Sequence, residues 1–455
     1  MRVMLVSRHF PPDEFGGVER YTQSLAVELA KCGDSVSIVA RRSVRGSNGI
    51  QMLRERLPDG TPLYRLLAGK HNSARFLDGQ QQVEQLFTTA LIEWAPEVVH
   101  MNDLAGFSPR AIQLAHRLGA AVVVSLHDFY FACPIAHLQK PTGEVCKGPT
   151  FGSECAAVCF ADGSGDRVYW GLHAMWFQRA LAMAERVIGH SQYLADCFRT
   201  MRTGVPIEVI ENGILSKAVL DDSGKVHNSG ACLTLAYCGA IAPHRSPHVI
   251  LEAIRLASVE QVQLLLIGEM PEPSYAASLR EKAAGIPGLK LQMYGRYSGS
   301  ELRFLLRGTD CLIVLSLVPE AGPMVPREAL ESGIPVAVSN LGALPENIVE
   351  SGNEFIFDPF QPAELAAILR RLANDVGLLP RLRAGAHRST VTSTVTHAER
   401  IRAIHEEAVE DFRSRPEDRT GISEFEFLHH AIAERERELA QAFELNASQA
   451  ASIGG

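Results

Sequence analysis

The chain has 455 residues, of which 46% are hydrophobic and 21% charged, and its formal net charge is −8. This length favours two or three domains, and the composition is that of a globular protein with large cores. The acidic balance argues against a general nucleic-acid binder. Residues 1–211 hold 21 basic and 21 acidic residues, so the whole acidic excess lies in the remainder of the chain.

The expected location rests on two kinds of segment, membrane-spanning and signal segments, and the expected redox state rests on the cysteine count. No run approaches the roughly 20 apolar residues that cross a bilayer, and residues 1–17 have too short an apolar stretch for a signal peptide. We therefore expect a cytoplasmic protein. Its nine cysteines, an odd number, fit reduced thiols better than a disulfide framework.

Short apolar runs recur along the first half, and each is followed by a turn signal and a helical pattern. They are nearly continuous in Val, Ile and Leu, as parallel strands covered on both faces are. The strands predicted here span 2–7, 35–40, 98–102, 121–127, 186–191 and 207–213. Between the first two, Val18, Tyr21, Leu25 and Leu29 fall on one face of a predicted helix that Gly33 ends.

The second half repeats the same alternation, with helical patterns between its strands and only helical patterns after residue 361. Its predicted strands span 233–239, 263–268, 289–295, 311–316, 335–340 and 353–358. Alternating strands and helices predict an α/β protein with two doubly wound parallel sheets. Ligands bind such sheets at the loops that follow the strands, so we expect a cleft lined by these loops.

The predicted domains follow from this repetition. They are a Rossmann-like domain at 1–215, a polar linker at 216–231, a second Rossmann-like domain at 232–395, a crossover helix at 396–413, and a helical or disordered tail at 414–455. The tail is a candidate for self-association.

One predicted strand-end loop carries two acids, Glu320 and Glu328, in the stretch PEAGPMVPREALESGIPVAVSN. Pro326 suits the first turn of a helix, a helix N-terminus at a strand end binds phosphate, and Gly322 lets the backbone approach a ligand. A carboxylate beside a phosphate is repelled, so we expect Glu328 to bind a ribose diol and Glu320 the group beyond the phosphates. The alternative, which two glutamates alone would favour, is that Glu328 only offsets the helix dipole and Glu320 is solvated.

The E-x7-E spacing of EAGPMVPREALESGIPVAVSNLGALPE resembles the signature of retaining nucleotide-sugar glycosyltransferases of family 4. The resemblance extends through FPPDEFGGVERYTQSLAVELAKCGDSVSIVA, HSQYLADCF, VIENGI and CGAIAPHRSPHVILEAI. It implies the GT-B fold, in which two Rossmann-like domains face a cleft, here an acceptor domain at 1–215 and a donor nucleotide-sugar domain at 232–395. It also implies transfer of a sugar, with retention, from a nucleoside diphosphate sugar to a hydroxyl of a polysaccharide, a lipid-linked glycan or a small molecule. Cell-envelope polysaccharide biosynthesis is a typical setting.

The resemblance also implies residue roles. Glu328 matches the ribose-binding acid, Glu320 the acid that contacts the transferred sugar, and Arg245 a lysine on the diphosphate. Ala240 stands where an arginine is usual, so Arg327 or Arg296 would have to supply that charge.

Further residues are assigned in the same way. His127 matches a histidine that contacts the donor sugar and supports catalysis, and Asp128 is a weaker candidate that would only brace its loop. Gly213, beside Asn212, belongs to the expected hinge turn. The residues expected at the donor are Gly16, Gly17, Asn212, Gly239, Arg245, Gly322, Pro323, Met324, Val325 and Glu328, with His127, Glu320 and Arg245 as catalytic residues. No cofactor and no catalytic metal are expected.

Four cysteines, Cys133, Cys146, Cys155 and Cys159, lie within 27 residues as C-x12-C-x8-C-x3-C. This density suggests a structural tetrathiolate zinc site, although the spacing lacks paired CxxC motifs and unliganded thiols are the alternative. A subgroup of the family with the pattern HDFxxxCP carries similar cysteines.

The segment VYWGLHAMWFQRALAMAERVIG could be an interfacial helix that touches a lipid-linked acceptor at the inner membrane face. An ordinary helix packed on a sheet is favoured.

Rival functions remain at this point. A glycoside hydrolase using Glu320 and Glu328 as acid and nucleophile is disfavoured, because the two acids bracket a phosphate-type helix start. A sugar-nucleotide epimerase of the same fold would release a free sugar nucleotide. A regulatory or assembly subunit that binds nucleotide sugar without turnover stays open because of Ala240 and the helical tail.

Overall fold

The computed structural model divides into two compact units. Unit 1 comprises Met1–His190, Ala195–Ile210 and the residues from Ala398 on, and unit 2 comprises Ser191–Leu194 and Glu211–His397. The structure describes residues 1–13, 16–44, 51–69, 80–148, 153–160, 167–200, 204–214, 232–297, 299–306, 308–346, 354–386 and 391–414, with a few residues between 428 and 435.

Unit 1 is built on one eight-stranded sheet in the order β3-β4-β2-β1-β5-β6-β7-β8. Its strands are β1 (Arg2–Ser7), β2 (Ser35–Val44), β3 (Gln51–Arg56), β4 (Pro62–Gly69), β5 (Val98–Met101), β6 (Ala121–Leu126), β7 (Arg186–Gly189) and β8 (Glu208–Val209). Every neighbouring pair is parallel except β3 and β4. All residues of β5 and β6 are buried, as the apolar runs predict for strands covered on both faces.

Unit 2 is built on one six-stranded, wholly parallel sheet in the order β11-β10-β9-β12-β13-β14. Its strands are β9 (Leu233–Cys238), β10 (Val262–Ile267), β11 (Leu289–Tyr294), β12 (Cys311–Val314), β13 (Val336–Ser339) and β14 (Glu354–Phe357). Chain order reverses between β9 and β12, which is the switch point where doubly wound sheets bind ligands. Each predicted strand of both halves is present, with boundaries that shift by a few residues.

The helices cover the sheets. They are α1 (Gly17–Lys31), α2 (Gln80–Trp94), α3 (Arg110–Arg117), α4 (Arg167–Met183), α5 (Gln192–Thr200), α6 (His248–Ala257), α7 (Pro273–Ala284), α8 (Gly299–Leu305), α9 (Val325–Glu331), α10 (Pro362–Asn374), α11 (Leu378–Ala386) and α12 (Thr394–Ser414). In α1, Tyr21, Leu25 and Leu29 are buried, as its 3.6-residue periodicity predicts. Within the described ranges, no helix combines the length and apolar character that crossing a bilayer requires.

The hairpin of β3 and β4 was not among the predicted strands. Only Met52 of β3 is buried, and its other five residues are exposed or half-buried, so β3 lacks the continuous apolar run of a central strand. It pairs antiparallel to β4 at the edge of the sheet.

Helix α4 packs through its aromatic residues. Trp170, Trp176 and Phe177 are 4%, 0% and 0% exposed, whereas Met175 is 40% exposed. The aromatic residues are therefore core, as the favoured interpretation of an ordinary packed helix requires. The main neighbours of α4 are α3 and the helical segment Cys155–Cys159, however, and not the sheet expected from the sequence.

Helix α12 lies in unit 1 from Ala398 on, although it follows unit 2 in the chain. Its buried Ile401, Ile404 and Ala408 share a core with Leu5 of β1 and Ile38 of β2. The unit boundaries at Ile210 and His397 differ from the predicted ones at 215 and 395. The predicted linker at 216–231 and most of the tail at 414–455 lie outside the described residues.

Candidate active site

The loops after β9 and β10 in unit 2 meet through glycine backbone. Gly239 and Gly268 follow these strands with φ of 153° and 155°. A Cβ atom on Gly268 would lie 1.8 Å from the carbonyl oxygen of Gly239. Both positions therefore need glycine, and Gly268 packs against the backbone of Gly239, which begins the loop that carries Arg245.

Two predicted catalytic residues, Arg245 and Glu320, form an ion pair in unit 2. Arg245 ends a short 3-10 helix after β9, and Glu320 lies in the loop after β12. Nη1 of Arg245 contacts Oε1 of Glu320, with the two side chains 33% and 16% exposed. Burial lowers the pKa of Arg245. The pair sets a cation and a carboxylate side by side at the sheet's switch point.

A glycine that the sequence reasoning did not single out fixes the backbone of Glu320. Gly342 forms a bridge with Glu320, and the amide of Ala343 donates to the Glu320 carbonyl at 2.8 Å. Gly342 has φ of 65°, and a Cβ atom there would lie 2.2 Å from the Glu320 nitrogen. Any larger residue would displace Glu320. The sequence feature that could have identified Gly342 is its position just after the predicted strand at 335–340, where ligand-binding loops are expected.

Asn212 and Gly322, both expected at the donor, are in contact. The Asn212 side-chain amide donates to the Gly322 carbonyl at 3.1 Å, and Ser191 Oγ donates to the Ala321 carbonyl next to it. Gly213 packs so tightly that an added Cβ atom would lie 2.7 Å from the His397 Cβ atom. The expected turn at 212–213 thus supports the loop after β12.

Arg327 does not supply the missing cation for a diphosphate. Its guanidinium is buried and donates to the carbonyl of Asn212 at 2.8 Å and to the carboxylate of Glu211 at 2.7 Å. The hypothesis that Arg327 replaces the arginine absent at Ala240 is corrected here, because its donors are engaged by the Asn212 carbonyl and the Glu211 carboxylate. The other candidate, Arg296, pairs with Glu269 at 2.6 Å.

Helix α9 carries Glu328 as predicted. The helix starts at Val325 with Pro326 in its first turn, and Gly333 follows it with φ of 72°. Glu328 is half-buried on this helix, and Pro323 and Met324 are partly exposed just before it. The two acids of the E-x7-E pattern therefore lie on a strand-end loop and on the helix that follows it.

In unit 1, His127 lies beside a second histidine, His190. The two follow β6 and β7, where Leu126 and Gly189 are in register, and their Nε2 atoms are 3.2 Å apart. Nδ1 of His190 is 2.9 Å from the carbonyl oxygen of Ile210, so it carries a proton. In the neutral pair, His190 Nε2 then accepts from His127 Nε2, and His127 Nδ1 is an acceptor. His190 was missed because the sequence does not show which strand ends are neighbours.

The glycine pair at the start of α1 is followed closely by a buried acid, Glu19. Gly16 caps the helix and Gly17 begins it. The carboxylate of Glu19 accepts from the Gly16 amide and from its own, and burial raises its pKa. A Cβ atom on Gly16 would lie 2.4 Å from Glu19 Oε2. The assignment of Gly16 and Gly17 to a donor phosphate stays a prediction.

The four clustered cysteines are electrostatic neighbours. Cys133 and Cys155 are buried and Cys146 and Cys159 partly buried. Burial, helped by the charges of the other three thiols, raises the pKa of Cys155 to about 12. Among the described residues, no three His, Cys, Asp or Glu side chains are placed to hold a metal ion. As they stand, these thiols do not fit a tetrathiolate, and structural zinc stays a prediction for metal analysis.

Two family models match the chain in succession. The one described as "Glycosyl transferase 4-like domain" matches residues 16–213, and the one described as "Glycosyl transferases group 1" matches residues 225–388. The chain belongs to the glycosyltransferase group 1 and 4-like family. The predicted subgroup with the cysteine-rich loop stays a prediction.

Individual relatives of this glycosyltransferase are similar at low sequence identity. It is 23% identical to the glycogen synthase of Mycobacterium tuberculosis over 409 residues, which are 86% of this chain and 91% of that protein. It is 26% identical to an uncharacterized 42.6 kDa protein in the cps region of Klebsiella pneumoniae over 156 residues, 32% of this chain and 41% of that protein.

Solved structures share its fold. HepE of Anabaena in complex with UDP and glucose aligns with a TM-score of 0.61 at 16% identity, covering 89% of this chain and 99% of that one. Sucrose-phosphate synthase of Thermosynechococcus elongatus aligns with a TM-score of 0.67 at 16% identity, covering 90% and 99%. The predicted GT-B fold of this glycosyltransferase is thereby confirmed.

Proposed function

We propose that this glycosyltransferase moves a sugar, with retention, from a nucleoside diphosphate sugar to a hydroxyl acceptor. The observation that carries the proposal is the contact of Arg245 with Glu320 at the switch point of unit 2, within the matched group 1 domain. A cation for a diphosphate and a carboxylate for sugar hydroxyls are the two groups such a donor needs side by side. HepE, which shares the fold, was solved with UDP and glucose.

Each residue has a distinct proposed role. Arg245 leaves Glu320 for the diphosphate and stabilises the charge that develops as the phosphate departs. Glu320 then accepts hydrogen bonds from hydroxyls of the sugar, and Glu328 binds the ribose diol. Gly322 and the start of α9 hold the phosphates through main-chain amides.

The reaction needs no protein nucleophile. The bond between the sugar's anomeric carbon and the phosphate oxygen breaks, and the acceptor oxygen bonds to that carbon on the same face. The acceptor's proton passes to the departing phosphate oxygen. His127, whose Nδ1 accepts in the neutral tautomer, takes a hydrogen bond from a donor-sugar hydroxyl. No divalent metal enters these steps.

The remaining assignments are proposals too. The acceptor is a glycan, a lipid-linked glycan or a small molecule, cell-envelope polysaccharide synthesis is the proposed setting, and contact with the inner membrane face would accompany a lipid-linked acceptor. Self-association through the tail after residue 414 belongs to the same set.

A thermal-shift screen against UDP-, GDP-, ADP- and dTDP-sugars tests donor binding, because a ligand that binds the folded state raises the melting temperature. We expect one diphosphate class to do so and Glu328→Ala to abolish the rise. Glu331→Ala, one turn further along α9, is the matched control and should keep it. No response to any of the four classes would refute the proposal.

Turnover separates this enzyme from its rivals. We expect slow donor hydrolysis that Glu320→Ala and His127→Ala lose, and NMR of the transfer product should show the donor's anomeric configuration. Normal donor binding without any turnover would favour a nucleotide-sugar sensor, which the absence of an arginine at Ala240 keeps as the second candidate. Release of an epimerised sugar nucleotide would favour an epimerase.

A further inference from the structure

A chain of buried polar side chains crosses unit 1 from helix α12 to helix α1. Nε2 of His405 in α12 lies 3.0 Å from Nδ1 of His100 in β5, and Nε2 of His100 lies 2.8 Å from Oγ of Ser125 in β6. Ser125 in turn hydrogen-bonds the side chain of Tyr21 in α1. All four residues are at most 4% exposed, so bulk water does not compete with these bonds and the low-dielectric interior strengthens them.

The proton positions along this chain follow from its end at His405. Nδ1 of His405 is buried and has no hydrogen-bond partner among the described residues. Buried N–H groups without an acceptor are rarer in proteins than buried acceptors without a donor, so we place the proton of His405 on Nε2, which donates to His100. The Nε2–H group of His100 then donates to Ser125 Oγ, and the hydroxyl proton of Ser125 is left for the Tyr21 oxygen. Burial lowers the pKa of His405 to about 4, which keeps that ring neutral at pH 7.

The aromatic ring of Tyr21 packs against both histidines at the ends of β6 and β7. Its centroid lies 4.5 Å from that of His127, with 64° between the ring planes, and 5.2 Å from that of His190, with 57° between the planes. The two imidazole centroids are 4.2 Å apart. One buried ring therefore borders the whole histidine pair, and a rotation of either imidazole would change its contact with Tyr21.

The side chain of Tyr21 is held at both ends. Its Cα belongs to α1 within the buried core of unit 1, and its hydroxyl is held by Ser125. Ser125 lies on β6, two residues before His127, so the ring is tied to the same strand that carries this histidine. The ring cannot tilt away from His127 without breaking the hydrogen bond. An aliphatic residue would fill the space without fixing the plane of the imidazole.

We propose that Tyr21 is a positioning residue that holds His127 in the orientation that the reaction needs. Ser125 anchors the Tyr21 hydroxyl, and the buried histidines of β5 and α12 anchor Ser125 from behind. The inference rests on the proposed function, because it says how the chain orients the histidine that takes a hydrogen bond from the donor sugar. The sequence placed Tyr21 only on the apolar face of α1 and gave His100, Ser125 and His405 no role.

Nitrogen-15 NMR of the histidine side chains in the full-length protein tests this orientation without any donor. At pH 8, where imidazoles are neutral, the fixed tautomers leave His127 protonated on Nε2 and His190 on Nδ1. We expect two well-separated nitrogen shifts for each ring in wild type. In Tyr21→Phe and Ser125→Ala, the two shifts of His127 should average towards each other. Tyr64→Phe removes the hydroxyl of another buried tyrosine of unit 1, and as the matched control it should leave the shifts unchanged.

Turnover measures what the orientation contributes to the reaction. With the donor that the thermal-shift screen identifies, Tyr21→Phe should lower kcat by about tenfold, since a misplacement of about 1 Å can cost about a hundredfold. The donor KM should change by less than about twofold, because the hydroxyl of Tyr21 does not touch the donor. Ser125→Ala breaks the same contact from the other side, so the double variant should be no slower than Ser125→Ala alone. Multiplying effects would mean that the two hydroxyls act independently, which contradicts the inference.

The far end of the chain offers a rescue by a conservative variant. His405→Gln keeps a side-chain N–H that donates to His100, whereas His405→Leu removes it. We expect His405→Leu to average the His127 shifts and to lower kcat, and His405→Gln to restore both towards wild type. A purely structural role of His405 would lower the melting temperature and leave the His127 shifts and kcat unchanged well below it.

The two readouts separate this inference from the proposed function. Wild-type His127 shifts in both Tyr21→Phe and Ser125→Ala would overturn the inference, whether or not a donor is known. If Ser125→Ala does not fold, Tyr21→Phe decides alone, because it keeps the buried ring. A screen that finds no donor would refute the proposed function, and the NMR comparison would still decide whether Tyr21 orients His127.

Discussion

The guanidinium of Arg327 is 4% exposed and joins α9 to the 211–212 turn through Asn212 and Glu211. Removing a buried, charged hydrogen-bond donor leaves its acceptors unpaired, which costs about 1.5–3 kcal/mol. We expect Arg327→Met to lower the free energy of unfolding of unit 2 by that amount in a urea titration. Arg296→Met, which breaks a half-exposed pair, is the control and should cost less than about 1 kcal/mol. Equal losses in the two variants would contradict this account.

Two acids of unit 1, Asp103 after β5 and Asp128 after β6, give a prediction about how stability depends on pH. Burial and Asp128 raise the pKa of Asp103 from 3.8 to about 8. Between these values the folded state holds a proton that the unfolded chain has released, so this group's contribution makes stability fall as pH rises. Asp103→Asn removes the titration and should reduce that fall by at least about 1 kcal/mol, or about 2–4 °C in melting temperature.

Melting curves at pH 5, 7 and 8.5 measure this difference. The exposed Asp196→Asn variant is the control, since it should keep the wild-type pH dependence. Parallel curves for wild type and Asp103→Asn would show that Asp103 ionises normally in the folded chain.

Single residues differ in how much the sequence reveals about them. Glu320 and Glu328 were found because they share one short segment with fixed spacing. His190 lies far along the chain from His127, and only the parallel register of β6 and β7 brings the two histidines to the same edge. The role of Gly342 was not predictable for the same reason. The position requires glycine only because the backbone of Glu320 lies against it in the fold. A residue's type was readable, but its spatial neighbours were not.

Among the elements, central strands were predictable because burial on both faces demands a continuous apolar run. The edge hairpin of β3 and β4 was not predicted, because an edge strand need not be buried on both faces and so need not carry a continuous apolar run. The cysteine loop shows how far spacing reaches, and structural zinc there stays a prediction. Its four thiols are neighbours, as the density suggested, but a metal site needs ligand geometry that spacing alone does not encode.

Helix α12 depends on packing in unit 1, and this gives a prediction at the scale of elements. Ile401 is fully buried in a core that also contains Leu5 and Ile38. Ile401→Ala should lower the free energy of unfolding of unit 1 by about 2–5 kcal/mol, because it leaves a cavity. Glu410→Ala, on the exposed face of the same helix, should change it by less than about 0.5 kcal/mol. Denaturant titrations compare the two, and a small effect of Ile401→Ala would mean that α12 is not part of that core.

At the scale of the whole molecule, each of the three hydrophobic clusters formed by described residues draws its members from one unit only. The assignment of α12 to unit 1 means that the chain completes this unit only after unit 2 has been made. The repetition of strands along the sequence was enough to predict two sheets. It could not show where the last helix packs, because its apolar stripe would suit either sheet.

Separate cores predict that the units unfold in separate cooperative transitions, which scanning calorimetry can resolve. Arg245, Glu320 and Glu328 all lie in unit 2, so donor at about 100 times its Kd should stabilise that unit by about 2.7 kcal/mol. Ile401→Ala should lower only the transition of unit 1, and the two effects should add when combined. The glutamate variant at position 328 should cancel the donor's effect without moving the other transition. A single transition that responds to both changes would show that the units unfold as one cooperative body.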